Sequence, residues 1–463
     1  MMNFPKNFLW GASCSAFQCE GAYLEDGKTI TVADLRSIES RKQLSIADTS
    51  VTVDFYHRYK EDIALMKACG FTSFRFSISW ARLIPNGTGN INPKAVAFYQ
   101  DVIKELKENG IEPIVTLYHF DLPQVLVERY NGFASRQCID DFVAYAKVCF
   151  ETFKDVKYWL TINEQMVITF IPFFQGLKTT KESFQAFHHM CIANALVTKL
   201  YHQMNLNGMI GPCISYTTRL PATSNSKDSM IAYQQDALHV FALIDAHVYG
   251  VYPQYFINDL KRKGLMFEMK DGDEDLMKDA CPDFLGLNWY VTDVIGQYVD
   301  ENDSFNNYQG PAMPRQDRAV KGEYQFYKNP YTKYSEYLWN MDPIGLRFAL
   351  RRLHDIYRLP MMITENGWAA NETIAEDGGI HDELRIEYLE GMVEQMSLAI
   401  EDGVNLIGFN PWSFTDVLSS SQGMDKRYGL VYVDRDNQHL NTLKRIPKDS
   451  YYWYQKIIAK ARS

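Results

Sequence analysis

Two glutamates carry the clearest chemical signal in the sequence. Glu164 ends residues 161–164, Thr-Ile-Asn-Glu, and Glu365 lies within residues 363–367, Ile-Thr-Glu-Asn-Gly. Each segment follows a short apolar run, so each glutamate is predicted to lie where a buried strand ends in a loop. A pair of carboxylic groups, one donating a proton and one acting as base or nucleophile, is the minimal apparatus for cleaving a glycosidic bond.

Glutamates so far apart in the chain meet only if the fold gathers separate strand ends. A parallel barrel does so, because its functional residues collect at the C-terminal ends of several strands. Taken singly, each glutamate is better explained as an exposed loop residue or an ordinary ion-pair partner. Only the residues around each glutamate can distinguish a catalytic glutamate from a loop residue or an ion-pair partner.

Eight apolar segments alternate with helical patterns, which predicts a single-domain (β/α)8 TIM barrel over residues 1–463 with rim-loop insertions. The doubly wound sheet is the alternative, but no glycine-rich phosphate loop follows the first strand. Alternation in the second strand points Arg75 into the barrel. Residues 27–52 are interpreted as a loop, and residues 292–337 as a lid or rim loop without regular structure. The predicted strands are the two that carry the glutamates and residues 8–13, 74–80, 113–118, 209–215, 284–290 and 406–409.

Composition excludes several classes of protein. The formal net charge of −10 argues against nucleic-acid binding, which depends on a basic face. No signal-peptide pattern opens the chain, and its longest apolar run is too short to span a membrane. The eight cysteines are scattered without metal-ligand spacing, as expected for reduced thiols. We therefore expect a cytoplasmic protein without nucleic-acid or membrane partners; its oligomeric state, a homo-oligomer included, stays open.

The whole chain resembles glycoside hydrolase family 1, the retaining β-glycosidases. The resemblance rests on the two glutamate segments in this order and on further motif residues: Arg75, His119, the Asn-Trp-Tyr of residues 288–290 and the Pro-Trp-Ser of residues 411–413. It implies that Glu164 is the general acid/base and Glu365 the nucleophile, with no metal and no cofactor. Retaining enzymes hold the two carboxyl groups about 5–5.5 Å apart and in opposite protonation states.

The resemblance also assigns the residues that support the reaction and hold the sugar. Arg75 is expected to keep Glu365 ionised, and Tyr290 to hydrogen-bond Glu365. The remaining assignments are the 2-hydroxyl ligand Asn163, the supporting residue Asn288, the glycone ligands Gln18, His119 and Trp412, and the aglycone platform Trp339. The family usually has proline after the acid/base, where this chain has Gln165; we expect a small effect on loop geometry.

The segment after the eighth strand departs from ordinary β-glucosidases of the family, which carry a glutamate there for the outer sugar hydroxyls. This chain instead has Ser419, Lys426 and Tyr428, in a spacing that resembles the family's 6-phospho-β-glycosidases. Two hydroxyls and a cation suit a phosphoryl dianion. Taken alone, Lys426 and Arg427 would be a solvated basic pair. Ser420 is small where 6-phospho-β-galactosidases resemble this stretch but carry tryptophan, which favours gluco-configured substrates and leaves manno-configured ones open.

The predicted function is retaining hydrolysis of 6-phospho-β-D-glucosides, with a small phosphorylated glycoside as the partner. Two alternatives keep the chemistry: a plain β-glucosidase or β-galactosidase, and a 6-phospho-β-galactosidase. A third belongs to another class, a catalytically silent sugar-binding protein on the same barrel. Both glutamates being present argues against that last alternative.

Overall fold

The computed structural model describes residues 3–171, 175–300 and 319–463. Eight parallel strands form one sheet: β1 (Leu9–Trp10), β2 (Ser73–Ser77), β3 (Glu112–Tyr118), β4 (Tyr158–Asn163), β5 (Met209–Ser215), β6 (Leu285–Asn288), β7 (Met361–Glu365) and β8 (Leu406–Phe409). Their order in the sheet is β1-β8-β7-β6-β5-β4-β3-β2. Ser13, which follows β1, forms a parallel bridge with Arg75 of β2 and so closes the barrel. The predicted (β/α)8 barrel is confirmed, and the doubly wound sheet is excluded.

Helices surround the barrel and bury their apolar faces against the outer side of the strands. The sequence predicts a helix start at Asn92-Pro93, where an N-cap residue precedes a proline in the first helical position. The helix Pro93–Glu108 begins there, and the Asn92 side chain accepts a hydrogen bond from the Lys94 amide. The α-helices are Ala16–Cys19, Val32–Leu44, Phe55–Cys69, Trp80–Leu83, Pro93–Glu108, Gln124–Tyr130, Gln137–Thr152, Val167–Phe170, Thr180–Gln203, Ser226–Asp236, Ala242–Val248, Gln254–Lys263, Asp273–Met277, Pro343–Tyr357, Glu383–Glu401 and Asp449–Arg462.

The two faces of β2 have different surroundings, as alternation predicts. Phe74 is buried towards the helices, where its ring lies 6.1 Å from that of Phe55. Arg75 points into the barrel, where it reaches side chains of β3, β4 and β7. The interior also holds a small apolar cluster made of Ile114, Leu160, Cys213, Phe284 and Met362.

The prediction of a loop over residues 27–52 was wrong for Val32–Leu44, which is helical. This helix buries only its first turn, so the sequence lacks the apolar stripe that reveals most surface helices. A capping box fixes its start instead. The Thr31 hydroxyl accepts from the Asp34 amide at 3.1 Å, and the Asp34 carboxylate accepts from the Thr31 amide at 2.9 Å.

The prediction of no regular structure over residues 292–337 was also wrong. Strands Thr292–Gly296, Ala319–Val320 and Tyr324–Tyr327 join Thr218–Pro221 in a four-stranded sheet on the barrel rim. The central part of the predicted lid, residues 301–318, lies outside the described residues. A further two-stranded sheet pairs Val431–Val433 with Arg445–Pro447.

All eight cysteines lie in the described part of the chain, and all are free thiols; Cys281 is exposed and the other seven are buried. This agrees with the prediction of scattered, reduced thiols. Among the described residues, no helix has the length and apolar character needed to cross a membrane.

Candidate active site

A buried arginine lies at the centre of the site. Arg75 donates from Nη1 to Glu365 Oε1 at 2.5 Å and from Nη2 to Asn163 Oδ1 at 2.7 Å. Its Nε donates to Thr116 Oγ1 at 2.9 Å. The side chain is fully buried, so each of these charge-assisted hydrogen bonds forms where water does not compete. The guanidinium thus fixes the carboxylate that ends β7.

Both oxygens of Glu365 have partners. Tyr290 donates from its hydroxyl to Glu365 Oε2 at 2.7 Å, and His119 Nε2 lies 4.0 Å from Oε1. Burial and the negative charge of Glu365 hold the pKa of Tyr290 well above its usual range, so the phenol stays a donor. Burial and the nearby Arg75 hold the pKa of His119 well below its usual range, which keeps the imidazole neutral.

Glu164 follows β4 in a left-handed backbone conformation with φ of 46°. Its amide donates to the Cys213 carbonyl, and its Oε1 accepts from Asn288 Nδ2 at 2.9 Å. Burial, and next to it the charge of Glu365, raise the pKa of Glu164 to about 7. The two carboxyl groups therefore lie in the contrasting environments that an acid and a nucleophile need.

Hydrogen bonds link the two glutamates through the barrel interior. Asn288 Nδ2 donates to Glu164 and also to Asn163 Oδ1, at 3.1 Å, and Asn163 in turn accepts from Arg75. The β6–β7 register places Asn288 beside Glu365. One network therefore orients both carboxyl groups.

Two members of this network were not singled out in the sequence. Cys213 Sγ donates to Asn288 Oδ1 at 3.2 Å, and Thr364 Oγ1 donates to the same oxygen at 2.8 Å. They fix the amide of Asn288 so that its Nδ2 faces Glu164. Alternation along β5 and β7 was the available signal, but a thiol and a hydroxyl in a strand do not by themselves indicate a site.

The residues expected around the sugar lie against this network. His119 contacts Asn163 at 3.2 Å through Nε2, and its ring stacks on Trp412 with centroids 5.7 Å apart. Gln18 donates from Nε2 to the Leu418 carbonyl at 2.8 Å, which ties it to the segment that carries Ser419. His119 and Trp412 are therefore brought together beside Asn163, and Gln18 is fixed to the segment that carries Ser419; the contacts of all three with a sugar stay predictions.

The residues of the predicted phosphate pocket meet beside the glutamates. The hydroxyl oxygens of Ser419 and Tyr428 are 3.4 Å apart. The Lys426 ammonium lies 5.6 Å from the Tyr428 ring centroid and 4.3 Å from that of Trp339. The Trp339 ring in turn lies 4.8 Å from the Tyr290 ring, which connects the pocket to the residue that holds Glu365. Tyr337, which no sequence motif indicated as a site residue, adds a further ring, 4.9 Å from the ammonium.

Ser420 and Gln165, which the sequence singled out, lie at the edge of the site. Ser420 is exposed and lines a small cavity with Phe17 and Arg36, beside the helix Val32–Leu44. Gln165 is buried, and its Nε2 donates to the Phe187 carbonyl at 2.9 Å. The residue after Glu164 is thus anchored to the helix Thr180–Gln203.

Two glutamates at the C-terminal rim of a parallel barrel, linked through Asn288, Asn163 and Arg75, define a glycoside hydrolase of the two-carboxylate type. The sequence profile of glycosyl hydrolase family 1 matches residues 1–463, and the chain belongs to this family. The expectation drawn from the sequence motifs is confirmed.

Individual relatives are similar over nearly their full lengths. An aryl-phospho-β-D-glucosidase of Bacillus subtilis is 40% identical, with 98% of this chain and 97% of the relative covered. A 6-phospho-β-glucosidase of Escherichia coli is 36% identical, with 99% of this chain and 98% of the relative covered. Among solved structures, a family 1 β-glucosidase from Thermotoga maritima superposes with a TM-score of 0.87 at 31% identity, covering 99% of this chain and 98% of that chain.

Proposed function

We propose that this family 1 glycosidase hydrolyses 6-phospho-β-D-glucosides, disaccharides or aryl glucosides, and releases glucose 6-phosphate with retention of configuration. One observation carries the proposal. The hydroxyls of Ser419 and Tyr428 are 3.4 Å apart, and the Lys426 ammonium lies near the Tyr428 ring. The Tyr428 ring lies near that of Trp339, which in turn contacts Tyr290, the residue that hydrogen-bonds Glu365. The names of the B. subtilis and E. coli relatives support the same substrate class.

In the first step, Glu365 attacks the anomeric carbon as Glu164 protonates the leaving oxygen. A carbon–oxygen bond to Glu365 forms, the glycosidic bond breaks, and the aglycone leaves with the proton of Glu164. Arg75 and Tyr290 hold the attacking carboxylate in place. With a pKa of about 7, Glu164 is protonated in a large fraction of molecules near neutral pH, which is the state that this step needs.

In the second step, water displaces Glu365 from the sugar. The ester bond of the glycosyl-enzyme removes the negative charge of Glu365, one of the two causes that raise the pKa of Glu164. Glu164 is then a carboxylate and accepts the proton of the attacking water. Two displacements at one carbon return the original β-configuration.

The phosphate is the second recognition element. Lys426 provides a cation, and Ser419 and Tyr428 provide hydroxyl donors, the chemistry that a phosphoryl dianion requires. The small Ser420 favours gluco-configured substrates. Because a sugar phosphate is charged and does not cross a bilayer unaided, we propose that the enzyme works in the cytoplasm on glycosides phosphorylated during uptake.

The test compares p-nitrophenyl β-D-glucoside with its 6-phosphate, and with the 6-phosphate of the galactoside. The proposal expects kcat/KM to be at least 100-fold higher for the phosphorylated glucoside than for either other substrate. Preference for the free glucoside would overturn the phosphate specificity, and preference for the galactoside would overturn the sugar assignment. Binding of the phosphorylated substrate without turnover would instead identify a sugar-binding protein.

A further inference from the structure

The ammonium of Lys426 lies among three aromatic rings. Its Nζ is 4.3 Å from the ring centroid of Trp339, 4.9 Å from that of Tyr337 and 5.6 Å from that of Tyr428. The residue is 9% exposed, so these cation–π contacts form largely away from bulk water, where they are strongest. We call this arrangement the aromatic cage of Lys426.

The cage joins two separate rim loops. Tyr337 donates from its hydroxyl to the carbonyl of Asp425, the residue before Lys426, at 3.2 Å. Trp339 is held by a turn in which its carbonyl accepts from the Ser335 amide at 2.7 Å. The neighbouring Asn340 donates to the Thr292 carbonyl at 3.0 Å, which fastens the turn to the rim sheet. The indole therefore presents a fixed face to the ammonium.

A lysine side chain has many rotamers, and binding a phosphate through one of them costs conformational entropy. A ring that already holds the ammonium lowers that cost before the ligand arrives, which is preorganisation. Tyr428 belongs both to the aromatic cage and to the phosphate pocket, because its ring lies near the ammonium and its hydroxyl lies beside the Ser419 hydroxyl. The cage thus holds the cation near the ring of the tyrosine whose hydroxyl adjoins that of Ser419.

We propose that Trp339 is a positioning residue for the phosphate, in addition to the contact with the leaving group that the resemblance to family 1 assigns to it. Its indole face holds the Lys426 ammonium where the 6-phosphate of the glycone binds. The inference rests on the proposed function and deepens it: specificity for the phosphate depends on a residue assigned to the aglycone.

Product inhibition distinguishes positioning of the Lys426 ammonium from contact with the aglycone. The products compared are glucose 6-phosphate and glucose, and neither of them carries an aglycone. In Trp339→Leu, the inhibition constant of glucose 6-phosphate is expected to rise about 3- to 30-fold, the range that loss of a cation–π contact implies, while that of glucose stays unchanged. Trp339→Phe keeps a π face and is expected to stay within about 3-fold of the wild type for both inhibitors. An unchanged constant for glucose 6-phosphate in Trp339→Leu would overturn the inference.

Turnover gives a second, independent measurement. Trp339 also contacts the ring of Tyr290, which holds Glu365, so Trp339→Leu lowers kcat for every substrate. That loss cancels in the ratio of kcat/KM for p-nitrophenyl β-glucoside 6-phosphate over the free glucoside. The inference expects the ratio to fall about 3- to 30-fold in Trp339→Leu and to be largely retained in Trp339→Phe; an unchanged ratio in both variants would overturn it.

Inhibition of the wild-type enzyme distinguishes failure of the proposed phosphate specificity from failure of the proposed positioning function of Trp339. If glucose 6-phosphate inhibits the wild type no better than glucose does, the proposed phosphate specificity is refuted. The aromatic cage of Lys426 then has no function in phosphate binding. If the wild type prefers the phosphate and Trp339→Leu keeps the same preference, only the positioning function is refuted. Far-UV circular dichroism and thermal unfolding establish that both variants fold.

Discussion

The guanidinium of Arg75 and the carboxylate of Glu365 form a salt bridge of 2.5 Å inside the barrel, where the two side chains are 0% and 7% exposed. Burying either charge alone would be costly, because each would lose its hydration without a partner. The pair therefore does two things at once. It makes an ionised nucleophile compatible with a dry barrel, and it sets the direction from which Glu365 meets a substrate.

Arg75→Met tests this coupling. The variant leaves Glu365 buried without its cation, and we expect the free energy of unfolding to fall by about 3–5 kcal/mol and kcat/KM to fall more than 100-fold. Chemical denaturation and steady-state kinetics measure the two effects. In the double variant Arg75→Met/Glu365→Gln, much of the lost stability should return, because no unpaired charge remains; additive losses would contradict the coupling.

Glu365→Ala tests the assignment of the nucleophile. Removing the carboxylate should abolish turnover of an activated aryl 6-phosphoglucoside, and added azide should restore it by attacking the anomeric carbon from the vacated side. The product should then be the α-glycosyl azide, because only one displacement occurs. Nuclear magnetic resonance identifies the anomer. A β-configured azide would exclude Glu365 as the nucleophile, and Glu164→Ala under the same conditions is expected to give the β-azide.

The pKa of Glu164, raised to about 7 by burial and by Glu365, predicts the basic limb of the pH profile. Because Glu164 acts first as an acid, kcat/KM should fall as the pH rises through about 7. A plot of kcat/KM against pH for a substrate with a poor leaving group measures the limb. In Glu164→Gln that limb should disappear together with most of the activity; a limb that persists unchanged would belong to another group.

The same pKa shift makes a prediction about stability. The folded protein binds this proton more tightly than the unfolded chain, whose glutamate has the ordinary value of 4.5. The resulting stabilisation is complete below about pH 4.5 and is lost as the pH rises to about 7. Glu164→Gln should therefore match the wild type near pH 4.5 and exceed it at pH 8 by up to about 3 kcal/mol in free energy of unfolding. Equal stability at pH 8 would contradict the shift.

The sequence predicted what depends on local pattern. Alternation placed Arg75 inside the barrel, and Asn92 with Pro93 marked a helix start, because strand faces and helix caps are set by neighbouring residues. The helix Val32–Leu44 was missed because its cap, rather than an apolar stripe, defines it. Tyr337 was missed for another reason: its contact with Lys426 forms between two loops, and no local pattern encodes that distance.

Gln165→Met tests whether the anchor after Glu164 matters for the acid. Gln165 Nε2 binds the Phe187 carbonyl, while its Oε1 is buried and accepts no hydrogen bond from the described residues. Methionine keeps the volume and removes both groups, so stability should change by less than about 1 kcal/mol. Glu164 has a left-handed backbone, and loss of the anchor should displace its carboxyl group. We expect a roughly 10-fold loss of kcat/KM for alkyl 6-phosphoglucosides and little loss for dinitrophenyl ones; equal losses would contradict an effect on the acid.

Lys426→Met removes the cation of the phosphate pocket and keeps an unbranched side chain that is one atom shorter. We expect KM for p-nitrophenyl β-glucoside 6-phosphate to rise about 10- to 100-fold, because a charge-assisted contact to the phosphate contributes about 1.5–3 kcal/mol. KM for the free glucoside should stay within about 2-fold, and kcat for both should change little because Arg75, Asn288 and Tyr290 hold the two glutamates. Lys444→Met, at an exposed position, is the matched control. An equal rise in KM for both substrates would mean that Lys426 holds the loop rather than the phosphate.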